Sequence, residues 1–351
     1  MAAAQRLFRY TAIIGSVFFL ISMAAVIYFG INKTIEIANV AQDSVGSSEA
    51  PAPEEEAARE PNTLVFEDGE NTADYLCIPL ADKLEAEKIR IENHYMDSEL
   101  VILMEGVEPG FYAVHALTGN RSSIRNGVFE DTEEGVKLEL AMDGIHEYRT
   151  VLENNNLYIT FLNPREIYDR IVVIDPLCGG ADIGNRSDGL TEKELTLDIA
   201  KRLKTMLDAS DVKAYYTRID DVNPSVEDRV ALANETKADM YVMIGAESND
   251  DPSVYGITAA YNDEYFIPGF GSIELSDLLV RNVTTDVRGK ALGLRKASET
   301  EYALRHATVP AAMIGVGMVS NPQEVILLKR DDYREKIATG IYHAIMEAYE
   351  E

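Results

Sequence analysis

Residues 171–180 read IVVIDPLCGG, and this stretch decides the fold of the second half of the chain. A short, continuous apolar run that is followed by turn residues predicts a buried β-strand. Asp175 and Pro176 end the strand, and the glycines at 179 and 180 predict a tight loop after it. In α/β folds, ligands bind at the carboxyl edge of the sheet, so we expect a functional site near this loop.

The segments after this strand alternate between helical and extended patterns. Residues 191–210 have apolar side chains four positions apart, and Thr191 with Glu194 forms a capping-box signal at the start. Further strands are predicted at residues 213–217, 239–244, 256–261 and 311–316, and further helices at residues 226–234, 274–287 and 331–349. This alternation predicts an α/β fold, with a mostly parallel sheet and helices on both faces.

Residues 63–166 have a different pattern, in which short alternating runs are separated by turn residues. Examples of such runs are residues 88–92, 136–141 and 156–162. Evenly spaced short strands predict a small all-β domain before the α/β domain. Its role is open between a binding module and a generic spacer.

The N-terminal region contains an uncharged apolar run at residues 10–32. A run of this length can cross a bilayer as a helix, and Arg6 and Arg9 before it favour a cytoplasmic N-terminus. A cleavable signal peptide is the alternative, but the run is long for one. We therefore expect a cytoplasmic tail at residues 1–9, a single-pass anchor in the cell membrane, and the bulk of the chain outside the cytoplasm. The Pro- and Glu-rich residues 33–62 predict an acidic disordered linker.

The composition limits the partners of this chain. Among 351 residues, 60 are acidic and 32 are basic, which gives a formal net charge of −28. This charge argues against nucleic acid as a partner, because the phosphate backbone needs a basic surface. It argues equally against electrostatic binding to anionic wall polymers. The two cysteines, Cys77 and Cys178, do not have the spacing of a metal motif.

Several landmarks between residues 168 and 351 occur in a fixed order. They are Asp175-Pro176 before the glycine loop, Glu192-Lys193 at the start of a helix, Thr217-Arg218 after the second strand, and Ser320-Asn321 with Glu324 after the last strand. In this order they resemble the zinc-dependent N-acetylmuramoyl-L-alanine amidases, which cut peptidoglycan. The resemblance implies the fold of that family for this region.

The resemblance also implies a zinc site, but most of the positions that form this site in the family carry a different residue in this chain. In the family, zinc is held by a histidine of the loop, the Glu of Glu-Lys and a strand-end histidine, and a glutamate on the last strand is the general base. Carried onto this chain, the ligand positions are Cys178, Glu192 and Gly245, and the base position is Gly315. Only Glu192 matches, so we expect no intact catalytic residue, no bound cofactor and an inactive domain.

Other residues could replace the missing zinc ligands. Cys178, Glu192 and Glu247 together could form a rebuilt metal site, because thiolate is a good zinc ligand. However, a free cysteine is commonly just a small buried residue, and we favour that interpretation here. The candidates for contact with a ligand are Asp175, Glu247, Arg305 and His306.

These observations predict a membrane-anchored extracytoplasmic cell-wall protein with a non-catalytic amidase-like domain. Its expected partner is peptidoglycan, peptidoglycan fragments or a cell-wall enzyme that it regulates. Two alternatives stay open, namely an active peptidoglycan amidase with a rebuilt metal site and a protein-interaction scaffold in an envelope complex.

Overall fold

The computed structural model describes residues 62–67, 74–82, 84–265 and 267–350. The predicted cytoplasmic tail, the membrane segment at residues 10–32 and all of the predicted linker except Asn62 lie outside the described residues.

Residues 62–162 form two five-stranded sheets, which we call the β module. The first sheet has the order β1-β7-β8-β5-β4 and the second has the order β2-β6-β3-β10-β9. The strands are β1 (Asn62–Thr63), β2 (Phe66–Glu67), β3 (Leu76–Pro79), β4 (Ile89–His94), β5 (Glu99–Glu105), β6 (Leu117–Gly119), β7 (Ile124–Asp131), β8 (Gly135–Met142), β9 (Glu147–Glu153) and β10 (Asn156–Leu162). Strand β8 illustrates why these segments form strands. Its alternate residues Val136, Leu138 and Leu140 are buried, as expected for a strand that packs one face on a hydrophobic core.

Residues 171–348 form a six-stranded sheet with the order β14-β11-β15-β18-β16-β17. These strands are β11 (Ile171–Pro176), β14 (Lys213–Tyr216), β15 (Met240–Glu247), β16 (Ile257–Tyr261), β17 (Ala291–Lys296) and β18 (Ala311–Met318), and β12 (Arg186–Ser187) and β13 (Leu190–Thr191) make a separate small hairpin. Strands β14, β11, β15 and β18 are parallel, whereas β16 is antiparallel to β18. The four parallel strands therefore end at one edge of the sheet.

Helices cover both faces of this sheet. The helices of the described residues are α1 (Phe111–Val114), α2 (Pro164–Ile167), α3 (Glu192–Leu207), α4 (Val226–Glu235), α5 (Ser272–Val287), α6 (Tyr302–His306), α7 (Pro322–Leu328) and α8 (Asp331–Ala348). Helices α3, α5 and α8 share one core cluster with the even-numbered side chains of β11, such as Ile174, and α4 and α6 share another with odd-numbered ones, such as Val173. The predicted mixed α/β fold with helices on both faces is confirmed.

The prediction of a single-pass location in the cell membrane is contradicted. Within the part of the chain that the structure describes, no helix is long and apolar enough to cross a bilayer. The longest of these helices, α8, has 18 residues and carries charged side chains such as Asp331, Arg334 and Glu335. It is amphipathic and packs one face on the core, which is why it does not qualify.

The β module contacts the α/β domain at edge strand β14. The carboxylate of Glu147, at the start of β9, is only 1% exposed. Its Oε1 atom accepts a hydrogen bond of 2.5 Å from the hydroxyl of Tyr215 and forms an ion pair of 3.1 Å with the Nζ of Lys213. The same Nζ lies 4.8 Å from the ring centroid of Tyr215 and 5.0 Å from that of Tyr168. A buried charge that is paired in this way fixes the module against the strand.

Candidate functional site

The loop after β11 has a backbone that few side chains tolerate. Cys178 has a φ of +65°, Gly179 of +141° and Gly180 of +52°. A Cβ atom at position 179 would overlap the carbonyl oxygen of Val222, so only glycine fits there. The amide of Gly180 donates to Asp221 at 2.8 Å, which ties this loop to the one after β14.

A buried network lies beneath the loop and holds its shape. Asp175 has no exposed surface and accepts hydrogen bonds from Thr217 and Tyr241, each at 2.6 Å, as well as from the guanidinium of Arg229. Burial is the main cause that raises the pKa of Tyr241 well above its usual range, and the charge of Asp175 is the second cause. The hydroxyl of Tyr241 therefore stays protonated and remains a hydrogen-bond donor. Arg218 donates to the carbonyl of Pro176 at 2.8 Å. Asp175 therefore acts on the loop from inside the fold, and its carboxylate is not exposed to a ligand.

Glu192 is the first residue of α3 and is only 6% exposed. Its Oε1 atom accepts a hydrogen bond of 2.8 Å from the amide of Ala246, and its Oε2 atom accepts two from Asn185, at 2.9 Å and 3.0 Å. Burial raises the pKa of this carboxyl, and the hydrogen bonds from Ala246 and Asn185 only partly oppose that shift. Both oxygens thus serve contacts within the chain.

The two glycines at the predicted ligand and base positions are closely packed. A Cβ atom at Gly245 would lie 3.0 Å from the Cδ1 of Leu177 and 3.2 Å from the Oε1 of Glu192. A Cβ atom at Gly315 would lie 2.6 Å from the Cγ of Glu247 and 2.9 Å from a methyl group of Thr258. The space beside each glycine is therefore filled by neighbouring side chains.

Glu247 lies over Gly315 and belongs to an ion triad. Its Oε1 atom accepts from the Nη2 of Arg295 at 2.9 Å, and the same Nη2 lies 2.6 Å from the carboxylate of Glu301. The hydrogen bond that Arg295 donates to Glu301 raises the pKa of Arg295 above its usual range. Burial raises the pKa of Glu301, but the hydrogen bonds from Arg295 and Ser298 outweigh it, and the net shift is downward. Glu247 is thus held by the guanidinium cation of Arg295.

Cys178, in the glycine loop after β11, packs against Gly184. Its Sγ atom would be 2.5 Å from a Cβ atom at Gly184, so the thiol fills the space that the glycine leaves. Burial, followed by the nearby carboxylates of Glu192 and Asp182, raises the pKa of the thiol to about 12. Without a metal ion beside it, this group is a thiol at neutral pH.

The model of the family described as N-acetylmuramoyl-L-alanine amidase matches residues 172–347, half of the chain. The chain belongs to the N-acetylmuramoyl-L-alanine amidase family. The resemblance seen in the sequence is confirmed, and we call the matched region the amidase domain.

Individual relatives match the same half of the chain. The N-acetylmuramoyl-L-alanine amidase LytC of Bacillus subtilis is 29% identical over 51% of this chain and 35% of its own length. The germination-specific N-acetylmuramoyl-L-alanine amidase of B. subtilis is 29% identical over 52% of this chain and 81% of its own length. The structure of the amidase AmiC2 of Nostoc punctiforme is 29% identical, with a TM-score of 0.48, and the match covers 52% of this chain and 98% of that one. The chain thus spans only about a third of the length of LytC.

The amidase domain does not offer the donors that a catalytic zinc ion needs. Such a site uses three protein ligands and one open position. Here the expected positions bring together Cys178 as a thiol, Glu192 with both oxygens in use, and Gly245 without a side chain. Among the described residues, no group of three or more His, Cys, Asp and Glu side chains could hold a metal ion. The residues present do not fit zinc, and Glu247, the proposed substitute, is bound to Arg295.

Two of the predicted ligand contacts lie elsewhere. Arg305 and His306 are in α6, which precedes the start of β18 at Ala311, and Gly315 is four residues further along that strand. At about 3.3 Å per residue this is roughly 13 Å, toward the opposite edge of the sheet. The Nδ1 atom of His306 donates to the carbonyl of Tyr302 at 2.9 Å, and Arg305 pairs with Glu264. The structure does not bring them together with Glu192.

Sequence reasoning missed Asn185, Arg295 and Glu301. Arg295 lies 48 positions from Glu247 and Asn185 lies seven from Glu192, and neither spacing carries a recognisable motif. Arg295 and Glu301 flank the turn after β17, a strand that the sequence pattern did not predict. The only signal was the presence of Glu247 close to the glycine at the ligand position.

Proposed function

We propose that this protein acts at the cell wall without hydrolysing amide bonds, and that its amidase domain binds peptidoglycan or its fragments or regulates a wall enzyme. One observation carries the proposal. Where the family resemblance places a histidine ligand and a general base, the chain has Gly245 and Gly315, and carboxylates bonded within the fold fill the adjoining space. The peptidoglycan context comes from the family and from relatives named as amidases.

The typical effects of such changes on metal affinity and reaction rate indicate that hydrolytic activity is lost and not merely reduced. Disturbing a group behind a metal ligand typically costs about 10- to 100-fold in metal affinity or activity. Removing a general base typically costs about 10²- to 10⁴-fold. Here a ligand side chain and the base are both missing, so little rate enhancement would be left. A groove for peptidoglycan needs neither group, because most of its contacts do not involve the metal.

The test uses the full-length chain with LytC of B. subtilis as the positive control. Both proteins are incubated with zinc, desalted and analysed by mass spectrometry for bound metal, and both are assayed for release of stem peptides from purified sacculi. We expect sedimentation of this protein with sacculi, no stoichiometric zinc and no peptide release. Metal-dependent turnover that Glu192→Ala abolishes would overturn the proposal in favour of a rebuilt site. Failure to sediment with sacculi would favour a protein partner instead.

A further inference from the structure

One hydrophobic core cluster extends from the β module to the glycine loop, which we define as residues 177–180. Ile145 of the module is buried in the same cluster as side chains of β11 such as Val173. Leu177 of the glycine loop and Tyr95, at the tip of the β4–β5 hairpin, both pack against this cluster. Because protein interiors are close-packed, the displacement of one member of such a cluster is felt by the others.

Edge strand β14 connects the module to the glycine loop along one of its faces. Lys213, Tyr215 and Thr217 alternate along the chain, so their side chains point to the same face. The first two contact the carboxylate of Glu147 in the module, at 3.1 Å and 2.5 Å. The third, directly after the strand, donates to the buried carboxylate of Asp175 at 2.6 Å. The strand that receives the module is therefore also the strand that supports the network beneath the loop.

Two buried arginines hold the main chain at the glycine loop. Arg218, two residues beyond the end of β14, donates to the carbonyl of Pro176 at 2.8 Å and to that of Leu177 at 3.0 Å. Arg229 of α4 donates to the carbonyl of Cys178 at 3.3 Å. Hydrogen bonds from a charged donor are stronger than neutral ones. The loop is thus held from below by side chains whose positions depend on β14 and its neighbours.

The observed loop conformation needs this support because Cys178 does not favour it. A φ of +65° lies in the left-handed region, which is uncommon for a residue with a Cβ atom and costs free energy. Such a residue keeps this conformation only where the surrounding structure holds it. Loss of the support would therefore favour another conformation of the loop.

We propose that the β module regulates the candidate site by holding the glycine loop in its observed conformation. With the module docked on β14, the hydrogen bonds beneath the loop are kept. With the module released, the strand and the loop lose this support, and the loop leaves that conformation. By linkage, a ligand that binds the observed conformation also favours the docked module. The use of this coupling in binding at the wall rests on the proposed function.

Hydrogen exchange of the full-length protein, followed by mass spectrometry, measures the coupling. Glu147→Gln changes the module alone and leaves the ammonium of Lys213 without the carboxylate that pairs with it. We expect the amides of residues 177–184 to exchange about tenfold faster, as the loss of one charge-assisted interaction typically allows. Glu153→Gln, the same change at the exposed end of β9, is the matched control and should exchange like the parent. Equal exchange of the loop in Glu147→Gln and the parent would refute the inference.

Exchange in the module distinguishes a released loop from an unfolded module. Strand β8 lies at the centre of the first sheet of the module, and its amides should exchange as in the parent. If Glu147→Gln does not fold, or if β8 also exchanges faster, Tyr95→Ala decides. This variant removes the ring that lies 4.9 Å from the ring of Tyr215 and leaves β9 unchanged. An unchanged loop in that variant would refute the coupling.

Sedimentation with sacculi separates this coupling from the proposed function. We expect Glu147→Gln to sediment several-fold less than the parent and Glu153→Gln to sediment equally. Faster exchange of the loop with unchanged sedimentation would overturn the regulatory role. Unchanged exchange in a protein that sediments would refute the coupling and leave the proposed function intact. A parent that does not sediment, with faster loop exchange in the variant, would support the coupling and refute the function.

Discussion

At the scale of single residues, Cys178 shows how the same side chain can have two opposite interpretations. A thiolate would be a zinc ligand, whereas a buried thiol only fills space. The structure favours the second, because burial and the nearby carboxylates of Glu192 and Asp182 raise the pKa of the thiol from its ordinary value of 9.0 to about 12. The sequence could identify the position but not this surrounding, which depends on residues that the fold brings together.

We therefore predict slow alkylation of Cys178 in the folded protein. Because burial raises the pKa of the thiol from 9.0 to about 12, the thiolate at pH 8 is about a thousandfold scarcer than in the unfolded chain. Because the folded pKa is raised, the neutral thiol also contributes stability that is present below pH 9 and is lost as the pH rises toward 12. Iodoacetamide labelling followed by mass spectrometry of the peptide measures the rate, with the protein in guanidinium as the control. Similar rates at pH 8 in both states would instead indicate an available thiolate.

At the scale of elements, most of the α/β fold could be predicted from the sequence. The helices expected at residues 226–234 and 331–349 are found at Val226–Glu235 and Asp331–Ala348, because their amphipathic period is strong. Strand β17 was missed, because it is an edge strand with exposed Leu292 and Leu294 and has no buried apolar run. The ion pair at the candidate site was missed for the same reason, because Arg295, the partner of Glu247, lies in β17.

The packing of β15 against β18 gives a testable coupling between Gly315 and Glu247. Gly315→Ala would put a Cβ atom 2.6 Å from the Cγ of Glu247, and such overpacking typically costs about 1–3 kcal/mol. We expect Glu247→Ala to remove part of that cost, because the Cγ of Glu247 is gone whereas the methyl group of Thr258, 2.9 Å from the new Cβ atom, remains. A double-mutant cycle from urea unfolding measures the coupling. Additive free energies of unfolding would show that Glu247 does not lie over Gly315 in solution.

At the scale of the whole molecule, the β module and the amidase domain share a contact that is centred on one buried carboxylate and includes apolar side chains such as Ile145. Glu147 joins β9 to Tyr215 and Lys213 of β14, and Tyr95 of the module donates to the same Oε1 atom at 2.9 Å. The sequence did not reveal this contact, because its partners are 66 and 68 positions apart and none belongs to a motif. These contacts hold the β module against the edge strand β14.

Glu147→Ala is therefore expected to loosen the two domains and not merely to lower stability. Removing one partner of a buried pair leaves the other charge uncompensated and typically costs about 3–5 kcal/mol, and Lys213 is the charge left here. Because the lost contacts join the domains, we expect calorimetry to show two unfolding transitions in the variant, the first at a lower temperature. The parent is expected to unfold in a single transition. Glu153→Ala, an exposed change at the far end of the same strand, is the matched control and should unfold like the parent. A Glu147→Ala protein that melts in one transition with unchanged midpoint would show that other contacts hold the module.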